Sequence, residues 1–240
     1  MKQIAVAFQL LRKALRRRLK ARLRPRTSGA AALALCQQKL DKNTQTWSSD
    51  QPISQDTLLR FVTGEAGLAE GIMSYFTSVS DWPFHSSECV AHIDERTVLN
   101  LWGFKLAIMK AISGVSNDEK TVFIHRFHNL VCSMWTNKQR LTKPIQIDRI
   151  LRLSAARQYE YDAAFAEAEV RYKTGQALPM MPLARAVTKN LFSREHYDPI
   201  MTFESVSSDV EAIVLIYLTS FAQVFGKDWK QLKSIVENGD

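Results

Sequence analysis

The chain has 240 residues, 46% of them apolar, and a formal net charge of +8. Ten of its 32 basic residues fall in positions 1–28, which hold no acid, so positions 29–240 carry 22 basic against 24 acidic residues and are close to neutral. The excess charge therefore belongs to one end, which argues against nucleic-acid binding by the body, and no direct DNA binding is expected. The body is long enough for one good core in one domain.

Three cysteines (Cys36, Cys89 and Cys132), with no CxxC pair, argue against a disulfide framework and fit a reducing compartment. No apolar run reaches the roughly 18–20 residues of a spanning helix. The best stretch, "AIVLIYLTSFAQVF" (212–225), carries Thr219, Ser220 and Gln223 and reads as a core helix.

The first segment, 1–28, places Ile4, Phe8, Leu11, Leu15, Leu19 and Leu23 on one helical stripe. Arg12, Lys13, Arg16, Arg17, Arg18, Lys20, Arg22, Arg24 and Arg26 cover the rest of its surface, and Pro25 limits the helix. An amphipathic, Arg-rich, acid-free segment with small and hydroxylated residues after it fits a mitochondrial presequence, with cleavage expected near 26–30. A retained basic arm on ribosomal RNA is the second reading. A peripheral membrane helix is the third.

Residues 29–57 read as a linker, and "DKNTQTWSSDQPISQDT" (41–57) is polar without periodicity. From 58 to 240 the pattern is helical, with no convincing period of two. Leu58, Leu59, Phe61 and Val62 mark a short helix; Gly64 and Gly67 interrupt it; Leu68, Ile72, Tyr75, Phe76 and Val79 continue on one face. "SDWPF" (80–84) is a turn. A helix over 86–113 is apolar nearly all round in its second half and should be central. Ser116 and Glu119 form a capping box that starts the next helix, and Pro144 marks its far boundary.

A helix over 146–173 is expected to turn Tyr159, Tyr161 and Phe165 inward. Gly175, Pro179 and Pro182 make a connection in which Met180 and Met181 read as exposed loop residues. A helix follows over 182–193, then a loop, then a second capping box (Ser208 and Glu211) before an apolar helix at 209–225. An amphipathic tail with Trp229, Leu232, Ile235 and Val236 closes the chain. The expectation is an all-α fold: a single compact helical domain of about seven to eight helices behind a basic amphipathic N-terminal segment.

Catalytic signatures are sparse. No GxGxxG, P-loop or GxSxG occurs, and nine glycines are few for a phosphate cradle. His85, Cys89 and His92, and again His125, His128 and Cys132, recur at i, i+3 or i+4, and i+7, a spacing that could gather metal ligands. Core packing is the competing reading for both sets, and no cofactor is expected. Asp94 and Glu95 read as a solvated face. Glu160 and Asp162, flanking Tyr161, read either as ordinary surface acids or as the edge of a polar groove. Cys132 reads as a buried thiol. No enzyme is expected.

Two stretches carry a resemblance. "LNLWGFKLAIMKAI" (99–112) is similar to the Trp-containing helix of the ubiquinol–cytochrome c reductase assembly chaperones. "YEYDAAFAEAE" (159–169), followed by "PLARAVTKNLF" (182–192), resembles that family's "AYD-x-A" and "LA-x-A-hydrophobic-x-RN-hydrophobic-F" elements. Tyr161, Asp162, Ala164, Leu183, Ala184, Ala186, Asn190, Leu191 and Phe192 match. Lys189 replaces an Arg, Lys105 stands near the basic position of the Trp helix, and Asn137, Lys138 and Arg140 stand where the family has an acidic cluster. The resemblance spans about 95–225.

It implies an all-helical, non-enzymatic mitochondrial protein of the matrix or inner-membrane surface, acting in synthesis and assembly of cytochrome b with a small assembly-factor partner and, in some lineages, at the mitochondrial ribosome. Such a chaperone needs apolar contacts for a hydrophobic client. The candidates are Trp102, Phe104, Met109, Met134, Trp135, Tyr161, Asp162, Met180, Met181, Asn190 and Phe192. The alternatives are a structural subunit or assembly factor of a mitochondrial ribosome or respiratory complex, with the basic N-terminus on RNA, and a helical metal-binding enzyme.

Overall fold

The structure, a computed structural model, describes residues 67–78, 93–138, 144–192, 210–221 and 229–237, with the isolated positions 34, 38 and 54. The N-terminal basic segment, His85, Cys89, His92, the "SDWPF" turn and Ser208 lie outside these residues. The described residues form seven helices and no strand, as expected of an all-α chain. They are α1 (Leu68–Ser78), α2 (Ile93–Ala111), α3 (Asn117–Lys138), α4 (Pro144–Lys173), α5 (Met181–Phe192), α6 (210–221) and α7 (Trp229–Glu237).

α2 is the axis. Val98, Leu99, Leu101, Trp102, Phe104, Leu106, Ala107 and Ile108 are all buried, which leaves little of its middle for solvent. Accordingly it packs against α1, α3, α4 and α5. An all-round apolar stretch can only be satisfied by neighbours on every side. Phe104 stacks on Phe127 of α3 with centroids 4.1 Å apart and meets Phe221 of α6 edge-on at 4.9 Å.

The helix ends show why the elements start where they do. Position 67 has no side chain to cap α1, and Asn100 of α2 supplies the cap instead. Its Oδ1 accepts the Ala69 amide at 2.7 Å, and its Nδ2 donates to Glu70 at 2.9 Å. A Cβ on Gly67 would lie 2.2 Å from the Asn100 amide nitrogen, so only glycine admits this contact. Ser116 Oγ accepts the Glu119 amide at 3.2 Å, which is half of the expected capping box. The Glu119 carboxylate turns to α7.

Lys120 Nζ donates to the carbonyls of Ile112 (2.5 Å) and Met109 (3.3 Å), satisfying the C-terminal turn of α2. Pro144 opens α4, where its missing amide costs nothing. The helix ends at Gly175 (φ +69°), with Gln176 N–H on Arg171 O at 2.9 Å and Gly175 N–H on Tyr172 O at 3.2 Å.

Three expectations need correction. Tyr159 is 79% exposed, whereas Tyr161 is fully buried. Two residues apart on a helix means about 200° apart, so both cannot face inward. Met181 is buried as the first residue of α5, and Met180 packs partly buried against the core. Pro182 suits a first helical turn and does not prolong the loop. Glu95 is 8% exposed and no part of a solvated face.

Candidate functional site

The side chains that carry the resemblance lie on three helices and converge on one seam between α2, α4 and α5. Trp102 and Lys105, three apart on α2, present both their donors to Asp162 of α4. The Trp102 indole N–H reaches Oδ1 at 3.0 Å, and Lys105 Nζ reaches Oδ2 at 2.5 Å. The indole is fully buried, with Tyr161 at 5.5 Å and Phe165 at 6.0 Å between ring centroids. Asn190 of α5 donates through Nδ2 to the Tyr161 hydroxyl (3.3 Å) and to Glu160 Oε2 (3.0 Å).

Arg157 anchors the near end of the seam. Its Nε and Nη2 fork onto Glu95 of α2 at 2.9–3.1 Å, and its Nη1 donates to Glu160 Oε2 at 3.1 Å. Lys110 and Glu169, 2.6 Å apart, continue it at the far end, with Lys110 5.8 Å over the Phe165 ring. A planar guanidinium suits this bidentate grip on a sunken carboxylate better than an ammonium. The Glu95 hydrogen bonds hold the Arg157 pKa above its usual value. Burial pushes the Tyr161 phenol well up, so its hydroxyl stays protonated.

These groups satisfy one another across helices. The seam is a joint whose chemistry is hydrogen bonding and ring packing.

Phe104 and Trp102 are core residues, and Met109 is half-buried beside the Lys120 cap. Met134 and Trp135 ride on α3 and Phe192 ends α5, but their side chains lie outside the described residues. Among the described residues, the large apolar side chains that face solvent are others: Tyr159, Val170 (56% exposed), Tyr172 and Leu151 on α4, and Val122 on α3.

The metal spacing in α3 resolves differently. His128 Nδ1 lies 3.1 Å from Gln158 Nε2 and its Nε2 lies 3.1 Å from Ser154 Oγ, so both ring nitrogens are engaged with α4. His125 pairs with Asn129 at 3.1 Å. Burial lowers the His128 pKa and raises that of the Cys132 thiol to about 11. A thiol so poised is a poor nucleophile. Among the described residues no group of three or more His, Cys, Asp or Glu side chains is placed to hold a metal, and no helix is long and apolar enough to cross a membrane.

Glu95 and Arg157 were not anticipated as site residues. A signal existed for Arg157: Arg157, Tyr161 and Phe165 follow at steps of four and so share one face of α4. Set beside models of known families, curated proteins and solved structures, the chain matches none.

Proposed function

We propose that the protein is a non-enzymatic helical assembly factor for the ubiquinol–cytochrome c reductase complex of mitochondria, working on newly made cytochrome b in the matrix or at the inner-membrane surface. One observation carries the reading. The elements that resemble that chaperone family, 99–112, 159–169 and 182–192, are separated in sequence yet meet through the very side chains that match. Asp162 takes the indole N–H of Trp102, and Asn190 holds the hydroxyl of Tyr161. Helical sequences matching by chance have no reason to bring their matching polar residues into mutual hydrogen bonds.

The basic amphipathic segment at 1–28 supports the mitochondrial address on sequence grounds. The partners proposed are an apolar protein client and a small assembly-factor partner. The seam serves them by fixing the mutual angles of α2, α4 and α5, so that whatever surface they present keeps one shape.

Deleting the gene and resolving the respiratory complexes tests the reading. Loss of the ubiquinol–cytochrome c reductase complex with the other complexes intact is expected; normal assembly refutes it. Sequencing the N-terminus of the protein from its own cells is expected to place the mature start near residues 26–30.

A further inference from the structure

α3 also carries a short helix, α7, held by two buried aliphatic residues and by exposed polar ties. α7 has nine residues, and its main packing partner among the described helices is α3. It buries Leu232 and Val236 and lays Trp229 against Phe123, with ring centroids 4.7 Å apart. Its polar ties to α3 include Lys233 to Glu119 (3.0 Å), the Trp229 indole N–H to Glu119 (3.4 Å) and Glu237 to Arg126 (3.3 Å). These side chains are roughly two-fifths to one-half exposed, so the ties are wet and screened by salt.

The fit is also incomplete. Val122, Phe123 and Arg126 of α3 and Lys233, Val236 and Glu237 of α7 line an open cleft of about 230 Å³. Val122 stays 53% exposed beside it.

We propose that the α3 face is a helix-binding groove and that α7 is its displaceable latch. The partner is an amphipathic helix of another protein carrying an aromatic residue at i, aliphatic residues at i+3 and i+7, a cation at i+4 and an acid at i+8. That pattern is the one α7 itself presents in Trp229, Leu232, Val236, Lys233 and Glu237. Charge complementarity selects it: Glu119 and Arg126, two turns apart on α3, ask for a cation and then an acid on the incoming helix.

A nine-residue helix is below the roughly 12–15 residues at which an isolated helix becomes even marginally stable, so a released α7 unravels and leaves the groove open. The cleft gives a bulkier partner side chain a place that α7 leaves empty. While α7 is docked it competes at high local concentration, and outside helices bind only to the open fraction. The proposal concerns the α3 face and holds or fails independently of the assembly-factor reading.

The test uses the full chain and a fluorescent peptide copy of residues 227–240, followed by anisotropy. Wild-type protein is expected to bind the peptide weakly. Leu232→Asp, which expels the latch, should tighten binding by about tenfold or more. Adding Glu119→Lys should abolish that gain, and a peptide with Glu in place of Lys233 should restore it. Should Leu232→Asp fail to fold, Lys233→Glu loosens the latch from an exposed position and takes its place. Equal peptide affinity in wild-type and latch-loosened chains, or indifference to Glu119→Lys, overturns the proposal.

Discussion

The same small device occurs twice in this protein. In the seam, an indole N–H and a lysine ammonium from one helix share the carboxylate of Asp162; in the clasp, the Trp229 indole and Lys233 share the carboxylate of Glu119. What differs is the surroundings. Trp102 is fully buried against Tyr161 and Phe165, and it joins helices of 19 and 30 residues. Trp229 is half-buried, and its helix has nine. The carboxylates themselves are similarly wet, the Asp162 side chain 49% and that of Glu119 40% exposed, so the burial of the ring and the length of the helices separate the two places. Like donors on a carboxylate thus tie two long helices around a buried ring in one place, and a short helix with a half-buried ring in the other.

The largest effect should separate the two tryptophans. Trp102→Ala removes a large buried side chain and leaves Asp162 short of a donor, and is expected to cost about 3–5 kcal/mol in urea unfolding. Trp229→Ala should cost under about half as much, because its ring already meets solvent. Equal losses would erase the distinction between joint and clasp.

Next comes the anchor of the seam. Arg157→Met strands the buried Glu95 carboxylate and should cost roughly 2 kcal/mol, below the usual figure for a broken buried pair because the Arg157 side chain is 27% exposed. The double variant with Glu95→Leu should recover most of that loss, since both charges are then gone. Arg157→Lys should fall between wild type and Arg157→Met, keeping the charge but not the fork. A double-mutant cycle with no coupling between positions 95 and 157 would contradict the geometry.

Much of the fold could be read from periodicity, and the reasons for the exceptions are physical. The central place of α2 followed from apolar residues on all its sides. The amphipathic α7 followed from the spacing of Trp229, Leu232 and Val236, two of which are buried and one half-buried. Residue type suggests an inward Tyr159, but helical phase sets it about 200° from the buried Tyr161. The burial of Glu95 is not legible in the sequence, because its partner lies 62 residues away and no local pattern announces a long-range ion pair. The prolines flanking Met180 and Met181 suggest a loop, although a proline in a first helical turn starts a helix as readily as it ends one. Trp102, Tyr161, Asp162 and Asn190 came into view through the family resemblance; their mutual contacts needed three dimensions.

A smaller effect tests the α3–α4 contact by pH. Burial lowers the folded-state pKa of His128 from 6.5, with His125 and Lys105 adding to it. Between that lowered value and 6.5 the unfolded chain binds more protons than the folded one, so stability rises with pH across the window and is lost on acidification below about 6.5. Melting temperature measured from pH 7.5 to 5 should fall, and His128→Gln should flatten the fall. An unchanged slope in the variant would remove His128 from the account.

The smallest global effect belongs to Lys233→Gln, and that smallness is what sharpens the contrast. The side chain is exposed, its ion pairs are screened, and the core contacts of Leu232 and Val236 remain, so the denaturation midpoint should barely move. Local opening is a different quantity from global unfolding. Amide exchange within Trp229–Glu237 should quicken in the variant while α2 and α4 stay protected, and moderate salt should quicken the same amides in wild-type protein. If α7 instead exchanges as slowly as α2 in both chains, its footing is as firm as the seam, and the weak link in the molecule must be sought elsewhere.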